Sequence, residues 1–212
     1  MNRRNFISTI GLGGLSLVSL TSLSGCNFFL PDSPSVSDLD LREPLQVNLQ
    51  PKEISPGVFE LASFSAKVLV LGRKDYPLSK SDVLSVVSPI DLAVAWGEAA
   101  KSVSRKAIQL SQADRRYEWR ARVSDMEKPG VGDFTSLSGN WHMMPADDRI
   151  LSEIQKAKKD QIVFIEGLLV QVFFTDGTFY KSSLSRNDTG DGACEIILVK
   201  NFRIEGEAPL DS

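Results

Sequence analysis

The last third of the chain constrains the fold most, because it reads as three strands joined by short connections. The apolar run QIVFIEGLLVQVFF at 161–174 is followed by an Asp-Gly pair, which strongly indicates a hairpin turn between two apolar segments. The segments TFYKSSL at 178–184 and ACEIILVKNFRI at 193–204 supply the other two strands. Gly167 inside the first run predicts a bulge or a sharp bend.

Upstream segments add further strands and helices. VFELASFSAKVLVLGRKDYPLS at 58–79 predicts one long strand or a hairpin, and YEWRARV at 117–123 alternates like a half-buried strand. SPIDLAVAWG at 88–97 predicts a short helix, because serine and proline stand at its start and glycine at its end. Residues 146–159 predict another helix, with lysines in its last turn. We therefore predict an α+β fold built on a small, partly open, OB-like β-barrel with one or two helices.

The N-terminus has the pattern of an export signal. Arg3 and Arg4 precede an uncharged apolar stretch, as in twin-arginine signals. The sequence Leu-Ser-Gly-Cys at 23–26 resembles the bacterial lipobox, whose cysteine is lipidated and becomes the first residue of the mature protein. We therefore predict a signal peptide over residues 1–25 and a lipid on Cys26.

An uncleaved transmembrane helix is the alternative for this segment, since its apolar stretch at 6–23 approaches the roughly 20 residues that span a bilayer. Glycines and hydroxyl side chains make that stretch a weak span. The lipidated form would be a membrane-anchored envelope protein on the periplasmic side. Asn27, where inner-membrane retention is associated with aspartate, slightly favours the outer membrane.

The remaining chain divides into three parts. Residues 26–56 are rich in proline and serine and predict a flexible tether. Residues 57–206 predict a single α+β domain, and residues 207–212 a C-terminal tail. The formal net charge of −3 argues against nucleic acid as a partner, because binding to phosphates needs a basic field. No nucleotide fingerprint or phosphate-binding glycine loop occurs in the predicted domain, so we predict no cofactor.

Four blocks of the sequence resemble an uncharacterised family of bacterial membrane-anchored proteins in which similar blocks recur in the same order. The blocks are SPIDLAVAWG, RRYEWR, NWHMMPA and SSLSRNDTGDGACE, with the patterns SPxDLAxxWG, YxWR, NWHMxPA and SSLSRxDTGxGACE. The resemblance covers roughly 58–204. It implies one exported domain and implies no reaction.

Cysteine and histidine usage defines the sharpest chemical hypothesis. The chain has two cysteines, and lipidation of Cys26 leaves Cys194 without a disulfide partner. His142 is the one histidine and could serve as the base for Cys194, with Asp188 orienting the imidazole. Ser183 could replace the thiol as the nucleophile. These residues predict a thiol- or serine-dependent hydrolase as an alternative function.

A structural role for these residues is the competing interpretation. Cys194 opens a predicted strand in phase with Ile196 and Leu198, which predicts a buried and inert thiol. The serines at 182, 183 and 185 predict hydroxyl hydrogen bonds at a strand end.

A binding or structural module of the cell envelope is the function that these patterns favour. The loop with Trp141 and His142 could face the loop with Arg186 and Asp188 across the mouth of the barrel. Such a site would take a small-molecule ligand or an envelope protein as its partner.

Metal binding is not predicted. Zinc needs three or four ligands, and one histidine with one available cysteine falls short. Asn187, Thr189, Asp191 and Gly192 match the first half of a calcium loop, but Leu198 stands where the bidentate glutamate is required.

Overall fold

The computed structural model describes residues 41–185 and 193–206. The predicted signal peptide, the lipobox and the tail at 207–212 lie outside these ranges, as does the tether up to residue 40. The segment 186–192, which holds Arg186 and Asp188, also lies outside them. Within the described ranges, no helix combines the length and the apolar character needed to cross a bilayer.

The described residues form nine strands and two α-helices. The strands are β1 (Leu45–Ser55), β2 (Val58–Asp75), β3 (Ile90–Ala95), β4 (Gln109–Ala113), β5 (Arg116–Arg120), β6 (Ser138–Pro145), β7 (Ile162–Phe173), β8 (Phe179–Lys181) and β9 (Ile196–Ile204). The helices are α1 (Ser102–Ala107) and α2 (Asp148–Lys156). Short 3₁₀ turns occur at Val83–Val86, Gly97–Ala100, Val123–Asp125 and Phe134–Leu137.

Seven of these strands form one curled sheet in the order β1-β2-β3-β6-β9-β7-β8. The long strand β2 also pairs with β7, which brings the two sides of the sheet together. The β6–β9 pair is parallel, whereas the other neighbouring strands are antiparallel. Strands β4 and β5 form a separate hairpin. The architecture confirms the predicted α+β class with a small, partly open, OB-like barrel.

The main apolar core lies on one face of the curled sheet. Leu92 and Val94 of β3 and Trp141 and Met143 of β6 belong to this inner cluster, against which α2 packs. The alternate residues of the same strands face the opposite side, because successive side chains of a strand point to opposite faces. Two smaller apolar clusters cover that outer face. One includes residues of the β4–β5 hairpin, and the other includes Leu84, Met144 and Ile196.

The predicted glycine bend is confirmed in β7. The register of β7 against β9 shifts between Glu166 and Gly167. A Cβ atom at Gly167 would lie 2.0 Å from the carbonyl oxygen of Leu198, so only glycine permits this close approach of the two backbones. The predicted hairpin is also present, since β7 and β8 pair antiparallel around the turn at 176–177.

The prediction of a helix at 88–97 is wrong. Residues Ile90–Ala95 form β3, all six are buried, and the strand pairs with both β2 and β6. Serine, proline and glycine at its borders resemble helix caps, but a short run buried on both faces is also the pattern of a central strand. The helix predicted at 146–159 is present as α2, where the Asp147 carboxylate accepts a hydrogen bond from the Ile150 N–H at 2.7 Å.

The predicted tether also needs a correction. Part of it forms β1, which pairs antiparallel with β2, so the folded domain begins before residue 57. As an edge strand with few buried side chains, β1 lacks the apolar alternation that predicts a strand. Its register is irregular between Asn48 and Lys52, and Pro51 lies within that interval. The strand predicted at 117–123 ends at Arg120.

Candidate functional site

A group of polar side chains occupies the outer face of β3 and β6. Asp91 of β3 and His142 of β6 are direct cross-strand partners. Cys194 lies just before β9, which pairs in parallel with β6 and places Ile196 opposite His142. The His142 N–H donates to the carbonyl oxygen of Glu195 at 2.9 Å. The parallel β6–β9 pair therefore brings Cys194 beside the imidazole.

The imidazole of His142 lies beside a carboxylate and a thiol. Its Nδ1 lies 2.9 Å from the Oδ1 of Asp91, which is fully buried. The Cys194 side chain also contributes to the raised pKa of His142, so the sulfur lies close to the imidazole. His142 is buried, while Cys194 is half-buried. The thiol is thus the member of the group nearest to solvent.

These contacts favour a protonated imidazole. Burial disfavours the charged form, but the hydrogen bonds to Asp91 and Cys194, together with their negative charges, raise the pKa of His142 from 6.5 to about 9. An imidazolium at neutral pH is the partner that stabilises a cysteine thiolate.

Arg115 holds the carboxylate from the other side. It stands in the two-residue turn between β4 and β5, where Asp114 and Arg115 have φ angles of 49° and 65°. Its Nη1 donates to the Oδ1 of Asp91 at 2.9 Å, and its Nε donates to the Oδ2 of Asp82 at 2.8 Å. The guanidinium carbon lies 3.7 Å from the centre of the Tyr76 ring. The β4–β5 hairpin therefore places the Arg115 guanidinium against the buried Asp91 carboxylate.

Asn140 ties the hairpin to the sheet. Its Nδ2 donates to the carbonyl oxygen of Arg115 at 3.0 Å and to the Oδ2 of Asp91 at 3.3 Å. Its Oδ1 accepts a hydrogen bond from the Nε2 of Gln112 at 2.8 Å. Both oxygens of Asp91 are thus engaged, as a buried carboxylate requires.

Tyr117 and Glu195 lie beside the thiol. The Tyr117 hydroxyl is 2.9 Å from the Oγ of Ser138. Burial raises the pKa of Tyr117, the hydrogen bond with Ser138 opposes this shift, and the negative charges of Glu195 and Cys194 add to it. Tyr117 and Glu195 are therefore two ionisable neighbours of Cys194.

The serines at 182, 183 and 185 act as hydrogen-bonding groups near β9. The Ser182 Oγ accepts from the Ile196 N–H at 3.1 Å, and the Ser183 N–H donates to the carbonyl oxygen of Cys194 at 3.0 Å. The Ser183 Oγ accepts from the Ser185 N–H at 3.0 Å. Among the described residues, the side-chain partners of His142 are Asp91 and Cys194. The structure thus pairs the thiol, rather than Ser183, with the imidazole.

The structure separates the other predicted site residues. Trp141 is fully buried in the inner cluster against Phe64 and Trp96 and is not exposed for contact with a ligand. It alternates with His142 along β6 and therefore faces the core. Arg186 and Asp188 lie outside the described residues, and the carboxylate bonded to the imidazole is Asp91.

The interpretation of Cys194 as a buried thiol within a strand also needs a correction. Cys194 precedes β9 and is half-buried beside His142. Because β9 begins at Ile196, the apolar alternation of the strand does not extend to the thiol.

Two site residues were missed in the sequence. Asp91 was assigned to a helix, although a single acid inside a short apolar run is a signal for a buried polar contact. Arg115 follows Asp114 between two alternating segments, which is a two-residue hairpin signal without the usual glycine.

Residues 41–185 and 193–206 contain no group of three or more histidine, cysteine, aspartate or glutamate side chains that could hold a metal ion. The residues that match part of a calcium loop lie at 187–192, outside these ranges.

Comparisons with protein-family models, with curated proteins and with solved structures find no match for this chain. The four sequence blocks nevertheless converge in space, since each supplies one member of the site. These members are Asp91, Arg115, His142 and Cys194.

Proposed function

We propose that this protein is a thiol-dependent acyl-transfer enzyme, a hydrolase or transferase, in which Cys194 is the nucleophile. The observation that carries the proposal is the position of the His142 imidazole, which lies close to Cys194 and 2.9 Å from the buried Asp91 carboxylate. A nucleophile, a base and an orienting acid in this order form the general arrangement of cysteine-dependent acyl transfer.

The chemistry would begin from a thiolate paired with the His142 imidazolium. The Cys194 sulfur attacks the carbonyl carbon of an ester, thioester or amide and forms a carbon–sulfur bond. The bond to the leaving group then breaks, and the imidazolium gives its proton to that group. A water or another acceptor next attacks the thioester, the imidazole takes the proton of this acceptor, and the thiolate leaves. Asp91 fixes the ring throughout by accepting from Nδ1.

The contact between Cys194 and His142 favours this chemistry over a passive binding module. A binding role would pair His142 with the loop of Arg186 and Asp188 and would leave Cys194 inert. A half-buried thiol close to an imidazole with a raised pKa is instead in the environment of a reactive cysteine.

An acyl-transfer probe tests the proposal on the purified full chain. We expect p-nitrophenyl acetate to place an acetyl group on the peptide containing Cys194, as read by mass spectrometry after short incubation. His142→Asn should slow this labelling, and Arg105→Met, which removes an arginine that pairs with Asp160 outside the site, should leave it unchanged. Acetylation of lysines or of Ser183, with Cys194 unmodified, would contradict the proposal.

We also propose that the enzyme acts at the membrane surface on the periplasmic side, tethered through a lipid on Cys26. The twin arginines and the Leu-Ser-Gly-Cys sequence support this location. We expect mass spectrometry of the native protein to find Cys26 as the first residue with a diacylglycerol group attached. Cys26→Ala should abolish the modification. A native protein that retains residues 1–25 and carries no lipid would contradict the anchor.

A further inference from the structure

Arg115 occupies a backbone position that suits glycine better. Its φ of 65° lies in the left-handed region, and in the described residues only Asp114 and Asp160 share such an angle without being glycine. Two-residue hairpin turns with two positive φ angles favour glycine at the second position. A strained residue of this kind persists where the surrounding contacts require its side chain.

The contacts of Arg115 concentrate on the acid that faces the imidazole. Nη1 lies 2.9 Å from the Oδ1 of Asp91, the same oxygen that lies 2.9 Å from the Nδ1 of His142. Nη1 also donates to the carbonyl oxygen of Ser88 at 2.9 Å, and the Arg115 N–H donates to the hydroxyl of Tyr76 at 3.0 Å. The guanidinium is therefore fixed from several sides while it holds the carboxylate.

We propose that Arg115 is a positioning residue, which fixes the Asp91 carboxylate towards His142 and shares the negative charge of that carboxylate with the imidazole. This inference rests on the proposed function, because Arg115 affects catalysis only if His142 acts on Cys194. Arg115 acts through Asp91, to which its Nη1 donates.

The charged groups around His142 alternate in sign. Asp91 faces it from β3 and Cys194 from the segment before β9, while Arg115 adds a positive charge behind Asp91. Asp82 in turn adds a negative charge behind Arg115, whose Nε donates to its Oδ2 at 2.8 Å and whose Nη2 lies 2.6 Å from the same oxygen. Two further groups lie close to Cys194: Tyr117 of β5 and Glu195.

This alternation predicts effects of opposite sign. Without the positive charge of Arg115, the Asp91 carboxylate stabilises the His142 imidazolium more strongly, so the pKa of His142 should rise. Without the negative charge of Asp82, the Arg115 cation neutralises Asp91 more fully, so the pKa of His142 should fall. A general loosening of the site would instead shift both variants in one direction.

The single histidine makes the test direct. The full chain, purified in detergent with ring-¹³C-labelled histidine, gives one set of imidazole signals to titrate by NMR. We expect the pKa of His142 to rise by roughly half a unit to one unit in Arg115→Gly and to fall by less in Asp82→Asn. Glycine is chosen because it adopts the positive φ freely. Arg115→Lys, which keeps the charge, should titrate close to the wild type, as should the control Arg105→Met.

Shifts of the same sign in Arg115→Gly and Asp82→Asn, or an unchanged titration in both, would overturn the role of Arg115. Should Arg115→Gly fail to fold, the half-exposed Asp82 still provides the decisive substitution, and a fall in the pKa of His142 supports the role. Alkylation of Cys194 in the same samples separates this inference from the proposed function. If Cys194 is not alkylated but the pKa of His142 shifts in opposite directions in Arg115→Gly and Asp82→Asn, the proposed function is contradicted. The role of Arg115 is then still supported.

Discussion

His142→Asn is expected to lower the rate at which iodoacetamide alkylates Cys194 at pH 6 by about tenfold. An unperturbed thiol has a pKa of about 8.5, so only a few molecules in a thousand are thiolates at pH 6. An imidazolium beside a thiol favours the thiolate, which is the form that attacks iodoacetamide. Because a stabilised thiolate is a weaker nucleophile, the gain in rate is smaller than the gain in thiolate population.

The pH profile of alkylation decides this prediction. The wild-type rate should exceed the His142→Asn rate at every pH from 6 to 8. Mass spectrometry of the labelled peptides separates Cys194 from Cys26. Arg105→Met should reproduce the wild-type profile, since that arginine pairs with Asp160 on another surface. Identical profiles for the wild type and His142→Asn would contradict a thiolate–imidazolium pair.

Much of the fold could be predicted from local patterns. The C-terminal strands follow from continuous apolar runs, and the bend at Gly167 follows from a glycine within a strand. The helix α2 follows from its apolar spacing and its terminal charges. The strand β3 was misread because its borders carry helix-capping residues, while burial on both faces decides its conformation. That burial depends on β2 and β6, which local sequence does not reveal.

The site could be predicted only in part. His142 and Cys194 stood out because the chain offers one histidine and few cysteines. Asp91 could not be paired with His142 in advance, because the two residues are 51 positions apart and meet through the register of β3 against β6. Arg115 reaches the site because the β4–β5 hairpin folds over the outer face of the sheet. Long-range register and the packing of an inserted hairpin are not encoded in local periodicity.

Asp91→Asn is expected to reduce the free energy of unfolding by about 3–5 kcal/mol. The carboxylate is fully buried, accepts from Arg115 and His142, and receives the amide of Asn140. A neutral amide leaves the imidazolium without its counter-ion and leaves the guanidinium with Asp82 alone. Breaking a buried ion pair by removing one partner is strongly destabilising. Urea unfolding of the full chain, followed by tryptophan fluorescence, measures the loss.

The effect of Asp91→Asn should also depend on pH. The pKa of His142 is raised from 6.5 to about 9, so its contribution to stability is fully present below about pH 6.5 and is lost as the pH rises through 9. The difference between Asp91→Asn and the wild type should therefore shrink above pH 9, leaving the part due to Arg115. Asp160→Asn is the matched control, because Asp160 also pairs with an arginine but is exposed, and its loss should be below about 1 kcal/mol. Equal losses in the two variants, or a loss for Asp91→Asn that stays constant from pH 6 to 10, would contradict a buried carboxylate that supports an imidazolium.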